Sequence, residues 1–297
     1  MPAAYRTPDS RFEALSGWDY VPRYLDQDGL RMHYVEEGAG DPVLLLHGEP
    51  TWGFLYRRLV PPLLAAGHRV VLPDLFGFGR SDKPVDQGWY SYERHYRSIE
   101  RLAEEVELRG LTVVVHDWGG PIGLRLAVEH PERVERLVVT NTGVDAGRAP
   151  SETWLRFREV VRQVGGELEV ARLVAAGCAR PVADEALAAY DAPFPAPDAK
   201  AGVLAFPELV PTEPDHPSAA AMLEVREGMK RWEGRALVFF SDSDTIFSPR
   251  VAERIAELLP NAELQKPVEG AGHFLQEDGG EEVGARIAAW LQTSESV

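Results

Sequence analysis

The residues best suited to chemistry sit where apolar runs break. Val113-Val114-Val115 is a β-branched run that stops at His116-Asp117-Trp118, and Gly119-Gly120-Pro121-Ile122-Gly123 leads into a helical Leu124-Arg125-Leu126. This pattern predicts a strand that turns sharply into a helix, with Asp117 at the apex. A hydroxyl nucleophile at such a turn needs a base to take its proton, whereas a carboxylate is already ionised at neutral pH. Carboxylate attack on an acyl carbon gives a reactive mixed anhydride. Attack on an sp3 carbon gives an alkyl ester, so an aspartate here points to alkyl electrophiles: carbon–halogen bonds or epoxides. An isolated aspartate before a helix is more simply an N-cap, so the catalytic reading depends on its companions.

Two partners follow in the chain. Ser241-Asp242-Ser243-Asp244-Thr245-Ile246-Phe247 comes after the apolar stretch 235–240, and Glu269-Gly270-Ala271-Gly272-His273-Phe274 places a histidine among small residues. Nucleophile, acid and base in that order are Asp117, Asp244 and His273. The acid fixes the histidine tautomer and stabilises imidazolium. Asp242 competes for that role; Asp244 is preferred because it lies deeper in the loop, before an apolar pair. His47 and His116 adjoin glycine loops but precede the acid, and His216 falls in the middle segment. Water attack on an ester of Asp117 would develop charge on a carboxyl oxygen, for which two backbone N–H groups are expected, from Glu49 and Trp118. A departing halide needs donors that tolerate an apolar pocket. Indole N–H fits, and Trp118 beside the nucleophile and Trp154 are the candidates. Core packing is the plainer reading of Trp154.

These side chains need a frame. Residues 20–25 and 30–35 alternate like strands around a turn at 26–29, and 42–46, 68–72, 111–115 and 134–140 read as buried strands separated by helices, notably 92–108 and 119–129. The rhythm predicts an α/β fold with a mostly parallel sheet flanked by helices. Ligands then bind beyond the carboxyl ends of the strands, where every loop above lies. Between 151 and 232 only helices and Pro-rich connections are expected; the strand pattern returns at 235–240, with a last strand at 263–266 and a closing helix at 281–291. Residues 1–145 and 233–297 are therefore read as the main domain and 146–232 as a helical cap over the site.

The chain has 297 residues, 44% hydrophobic and 26% charged, with a formal net charge of −16. That surface repels phosphate backbones, which argues against nucleic-acid binding, and no apolar run is long enough to span a bilayer. The first residues lack the form of a secretory signal. One cysteine, Cys178, excludes an intrachain disulfide framework and fits a reducing cytoplasm.

The residues resemble the haloalkane dehalogenases of the α/β-hydrolase fold, in the subfamily whose acid follows the strand after the cap. The matching pieces are His47-Gly48-Glu49-Pro50-Thr51-Trp52, the loop 74–82, His116-Asp117-Trp118-Gly119-Gly120, Trp154, Asp191-Ala192-Pro193-Phe194-Pro195, Ala201-Gly202, Phe206-Pro207 and Gly272-His273-Phe274. The resemblance runs from about residue 20 to 291. It implies Asp117 as nucleophile, Asp244 as acid, His273 as base, halide binding by Trp118 and Trp154, and an oxyanion hole from the N–H groups of Glu49 and Trp118. It implies no metal or cofactor, and a monomer or small homo-oligomer acting on a small apolar halogenated substrate and water to give an alcohol and halide. The related subfamily would want a carboxylate where this chain has Asn141, with Asp145 the nearest other candidate. The acid loop departs from the family's Gly-x-x-Asp form. An epoxide hydrolase is the alternative, but such enzymes use cap tyrosines, and 151–232 holds only Tyr190. A fluoroacetate-type dehalogenase would put arginine where Trp118 stands, and a serine esterase lacks its serine. A non-enzymatic hydrolase-fold binding protein would lack part of the triad.

Overall fold

The computed structural model describes residues 2–144 and 150–293; Asp145 and the cap boundary drawn beside it lie outside the described residues. In chain order come β1 (Ala4–Tyr5), β2 (Arg23–Gln27), β3 (Leu30–Glu37), β4 (Pro42–Leu46), α1 (Val60–Ala65), β5 (Arg69–Pro73), β6 (Lys83–Pro84), α2 (Tyr92–Glu105), β7 (Leu111–His116), α3 (Gly119–Glu129) and β8 (Val134–Thr140). The helices α4 (Glu152–Val164), α5 (Val170–Gly177), α6 (Asp184–Asp191), α7 (Ala201–Ala205) and α8 (Ala219–Met229) follow. The chain closes with β9 (Arg235–Val238), α9 (Pro249–Leu258), β10 (Ala262–Leu264) and α10 (Leu275–Gln292).

Eight strands form one sheet in the order β10-β9-β8-β7-β4-β5-β3-β2, and β1 pairs separately with β6. The pairs from β5 to β10 are parallel, and β2 and β3 are antiparallel additions at one edge. The hairpin is tighter than the sequence suggests. Asp26 and Gln27 continue β2 opposite Arg31 and Leu30, and only Asp28 and Gly29, at φ 57° and 83°, turn the chain. Gln27 stays in the strand because its amide is buried and donates to Ser98 O at 2.9 Å. Every residue of β4 and β7 is buried, which is why β4 and the middle of β7, Val113–Val115, read as unbroken apolar runs. Each fully buried Val or Leu there contributes roughly 1.5–3 kcal/mol.

The helical insertion α4–α8 leaves the sheet after β8 and returns to it at β9, as the loss of strand pattern predicts. Its inner part is tied to the rest of the chain. The Trp52 indole donates to Ala189 O at 3.1 Å. The Tyr190 hydroxyl donates to Glu277 Oε2 at 2.8 Å, and Arg57 grips the same carboxylate with two bonds of 2.7 Å. A buried ion pair persists only when hydrogen bonds satisfy it; Tyr190 of α6 helps do so. The closing helix also begins earlier than the sequence suggests, at Leu275, because α10 runs through a kink at Gly279 (φ −143°). No helix among the described residues is long and apolar enough to cross a membrane.

One helix carries a pH liability. His95 of α2 is buried, neither ring nitrogen has a hydrogen-bond partner among the described residues, and its ring is 4.6 Å from that of Phe206 and stacked on Tyr90. Burial, aided by the charge of His47, lowers its pKa to about 3. The unfolded chain takes up this proton near pH 6.5 and the folded chain only near 3, so His95 costs stability as pH falls through that window. The cost is on the order of 1 kcal/mol per pH unit. We expect His95→Phe to flatten the loss of stability between about pH 7 and 5, measured by urea midpoints; parallel curves for the two proteins would refute this.

Candidate active site

β7 delivers the chain to the apex at Asp117, whose φ is +48°. An aspartate held there is strained, and the surroundings hold it. Its N–H donates to Asn141 O (3.0 Å), its carbonyl accepts from Gly120 N (2.9 Å), and the Thr142 hydroxyl donates to the same carbonyl (2.6 Å). Gly119 is required because a Cβ would collide with Leu46 O, so α3 starts hard against the end of β4. Gly48 lies as close to the Asp117 carboxylate.

The three candidate groups meet. His273 Nε2 lies 3.6 Å from Asp117 Oδ2, and its Nδ1 is 2.9 Å from Asp244 Oδ2. Asp244 Oδ1 accepts from the N–H groups of Ile246 (2.7 Å) and Phe247 (3.1 Å). The competing Asp242 is exposed and accepts instead from Gly270 N and the Ser243 hydroxyl, as a turn residue would. Glu49 N–H donates to Asp117 Oδ1 at 2.8 Å.

Charge in the site follows from burial and pairing. Burial alone would raise the Asp117 carboxyl, but the nearby imidazole and charge of His273, with smaller contributions from His116 and the Trp118 N–H, hold it below its ordinary value. Burial would likewise raise Asp244; the His273 charge and the Ile246 and Phe247 N–H groups outweigh it. For His273, burial works against the charged ring, yet the two aspartates raise it to about 10. Glu49, buried beside Asp117, is pushed well above the usual carboxylate range by desolvation and then by that neighbouring charge. His116 donates from Nε2 to His273 O at 2.8 Å, and burial, then the His273 charge, lowers it to about 4. The histidine beside the elbow is thus a neutral brace for the histidine facing it.

A cavity of about 560 Å³ opens over these groups. It is lined by Glu49, Asp117, Trp118 and His273, and from the insertion by Trp154 and Phe157 of α4. The Trp118 ring is nearly buried, edge-on to Phe206 with centroids 5.4 Å apart. Trp154 is half-buried, with Arg158 over its ring. Neither indole N–H has a hydrogen-bond partner among the described residues, unlike those of Trp52 and Trp290. Both tryptophans named from the sequence therefore line the cavity with a donor to spare.

Sequence reasoning treated Asn141 only as a missing carboxylate. The structure makes it a hub: its amide donates to Ser241 Oγ (2.6 Å) and Asp244 Oδ2 (2.9 Å), and its oxygen accepts from Ser241 N (3.0 Å). The available signal was its place at the carboxyl end of a central strand, beside the loop carrying Asp244.

The model of the alpha/beta hydrolase fold family matches residues 41–280. A haloalkane dehalogenase from Mycobacterium marinum is 42% identical over 96% of this chain and 98% of its own length. One from Mycolicibacterium paratuberculosis is 44% identical over 97% and 98%. Among solved structures, the tetrameric haloalkane dehalogenase DpaA from Paraglaciecola agarilytica superposes with a TM-score of 0.90 at 37% identity, covering 96% of this chain and 97% of that one.

Proposed function

The chain belongs to the haloalkane dehalogenases, within the α/β-hydrolase fold, and from that premise we propose that it hydrolyses carbon–halogen bonds through an ester on Asp117. The observation that carries the reading is the asymmetry of the Asp117 carboxylate. Oδ1 is engaged by the Glu49 N–H, while Oδ2 has no hydrogen bond within 3.5 Å among the described residues and faces the cavity-lining His273. Oδ2 attacks the carbon in line, the carbon–halogen bond breaks, and halide leaves toward the indole N–H groups of Trp118 and Trp154. Oδ1 becomes the ester carbonyl, already held by the donor that the next step requires. Loss of the Asp117 charge removes one of the influences that raise His273. Burial is then opposed by Asp244 alone, so the ring gives up its proton more readily, and its neutral Nε2 can take a proton from water as it attacks Cγ. Asp244 stabilises the imidazolium, and collapse releases the alcohol and regenerates the carboxylate. Residues 146–232 serve as the cap that excludes bulk water, and the lone cysteine supports a cytoplasmic setting.

Epoxide opening would need an acid over the alkoxide. No tyrosine is among the lining residues, and Tyr190 is buried with its hydroxyl on Glu277. Incubation with 1-bromobutane and with a styrene-type epoxide separates the two readings: bromide without diol is expected, and diol without bromide would sink the proposal. The tryptophans make a graded prediction. Trp118→Phe keeps the aromatic body and deletes the donor, and a hydrogen bond to a charged group is worth about 1.5–3 kcal/mol. The bromide burst should therefore slow by roughly 10- to 150-fold. Trp154→Phe, at a half-exposed site, should slow it by about tenfold or less. Equal, negligible effects would remove the halide role from both.

A further inference from the structure

The loop that carries His273 is fastened on one side by the Ser241 hydroxyl and the Ser243 N–H, which donate to Gly272 O (2.6 Å) and Ala271 O (3.0 Å), and on the other by a carboxylate further along the chain. Asp278 is buried at the start of α10. Its Oδ2 accepts from the Gly272 N–H at 2.7 Å and the Ala179 N–H at 2.9 Å, and its Oδ1 accepts from the Arg180 N–H at 2.9 Å. One side chain thus joins the residue before the histidine to the segment that follows α5 in the insertion. The clamp is doubled nearby: His273 N–H donates to Gly177 O at 2.7 Å. Gly272 lies so close to the same carbonyl that a Cβ would collide with it. Arg180 completes the joint from outside, with its guanidinium on Asp278 O (2.8 Å), Glu269 O (3.1 Å) and Gly270 O (3.2 Å).

We propose that Asp278 is a positioning residue for His273, clamping the histidine loop to the insertion so that ester hydrolysis depends on it and ester formation does not. The inference rests on the two-step reading above. In that reading Asp117 attacks without help from the histidine, while water activation needs Nε2 at the right place over the ester. Displacing a reacting group by about 1 Å can cost on the order of 100-fold. A carboxylate is also the side chain that this joint requires. All three of its partners are N–H donors, and an asparagine would turn its own NH2 toward one of them.

The test is Asp278→Asn with rapid-quench measurement of bromide from 1-bromobutane, and intact-protein mass spectrometry during turnover. The expected result is a bromide burst of wild-type amplitude within about threefold of wild-type rate. Steady turnover should then be slowed roughly 30- to 100-fold, with alkyl-enzyme accumulating. Burst and turnover falling together, or neither falling, would overturn the proposal. Arg180→Ala removes only the exposed part of the joint, and should give the same split at about three- to tenfold. If the Asp278→Asn protein does not fold, absence of a split in the Arg180→Ala protein overturns the proposal. Wild-type protein that releases no bromide overturns the functional reading itself, which separates that failure from this one.

Discussion

The His273→Phe protein mixed with 1-bromobutane will release one equivalent of bromide, stop, and carry a butyl group on Asp117. The first step needs only the ionised carboxylate and a place for bromide to go, and neither depends on the imidazole. The second needs a base 3.6 Å from Asp117 Oδ2, and His273 is the side chain there. A positioned general base contributes roughly 10²–10⁴-fold, so the ester should last longer by that factor than in the wild-type protein and be visible by mass. Phenylalanine suits the space, since Phe247 and Phe274 already lie against the imidazole with centroids 5.9 and 4.8 Å away. The substitution also discards the charge that lowers Asp117. Its pKa should move up toward the ordinary value and beyond, because burial is then less opposed, and the burst should weaken in mildly acidic buffer where the wild-type burst does not. An unmodified mass after bromide release would refute the covalent scheme.

Asp244→Asn should be nearly as damaging, for a reason visible in its partners. His273 Nδ1, Asn141 Nδ2 and the N–H groups of Ile246 and Phe247 all approach it as donors. A carboxylate accepts from all of them; an amide must present its NH2 to one side or the other. If the NH2 faces His273, the ring flips its tautomer and presents N–H to the ester in place of a lone pair. If it faces Ile246 and Phe247, two backbone donors lose their acceptor, at a cost of about 1–3 kcal/mol each when buried. Turnover should fall by about 10³–10⁴-fold, as loss of a triad acid does where geometry is otherwise kept. The folded chain should also lose stability, measured by urea midpoint. Wild-type turnover in this variant, with loss in Asp242→Asn, would exchange the two assignments.

The frame of the site was legible because each element announces itself locally. Asp117 and His273 stand against glycines that only a sharp turn or close approach requires, and β4 and Val113–Val115 of β7 are unbroken apolar runs because both faces of those strands are covered. The choice between Asp242 and Asp244 was only half legible. Both belong to a polar loop, and what separates them is the presence of His273 on one side and Gly270 on the other. Asn141 was legible only as a position at the end of a central strand, and the Arg57–Glu277–Tyr190 joint was not legible at all. Arg57 and Glu277 are 220 residues apart, and no local pattern marks a charge as buried. The start of α10 was misplaced because Gly279 and Gly280 look like a helix stop; the helix instead absorbs them in a kink. Gly280 permits close approach to the Arg58 side chain there.

The insertion is held unevenly, and that has a consequence for variation. α5, α6 and the segment after α5 are bolted to the rest of the chain through Gly177, Ala179, Ala189 and Tyr190, the first two at the loop that carries His273 and at Asp278. The side-chain hydrogen bonds of α4, among the described residues, stay within the insertion, and it leaves Leu155, Val160 and Val164 exposed. Yet α4 supplies Trp154 and Phe157 to the cavity wall. One half of the roof is thus built for alignment and the other for renovation. A lineage, or a laboratory, can rewrite the α4 wall to suit bulkier or slimmer molecules while the histidine keeps its aim.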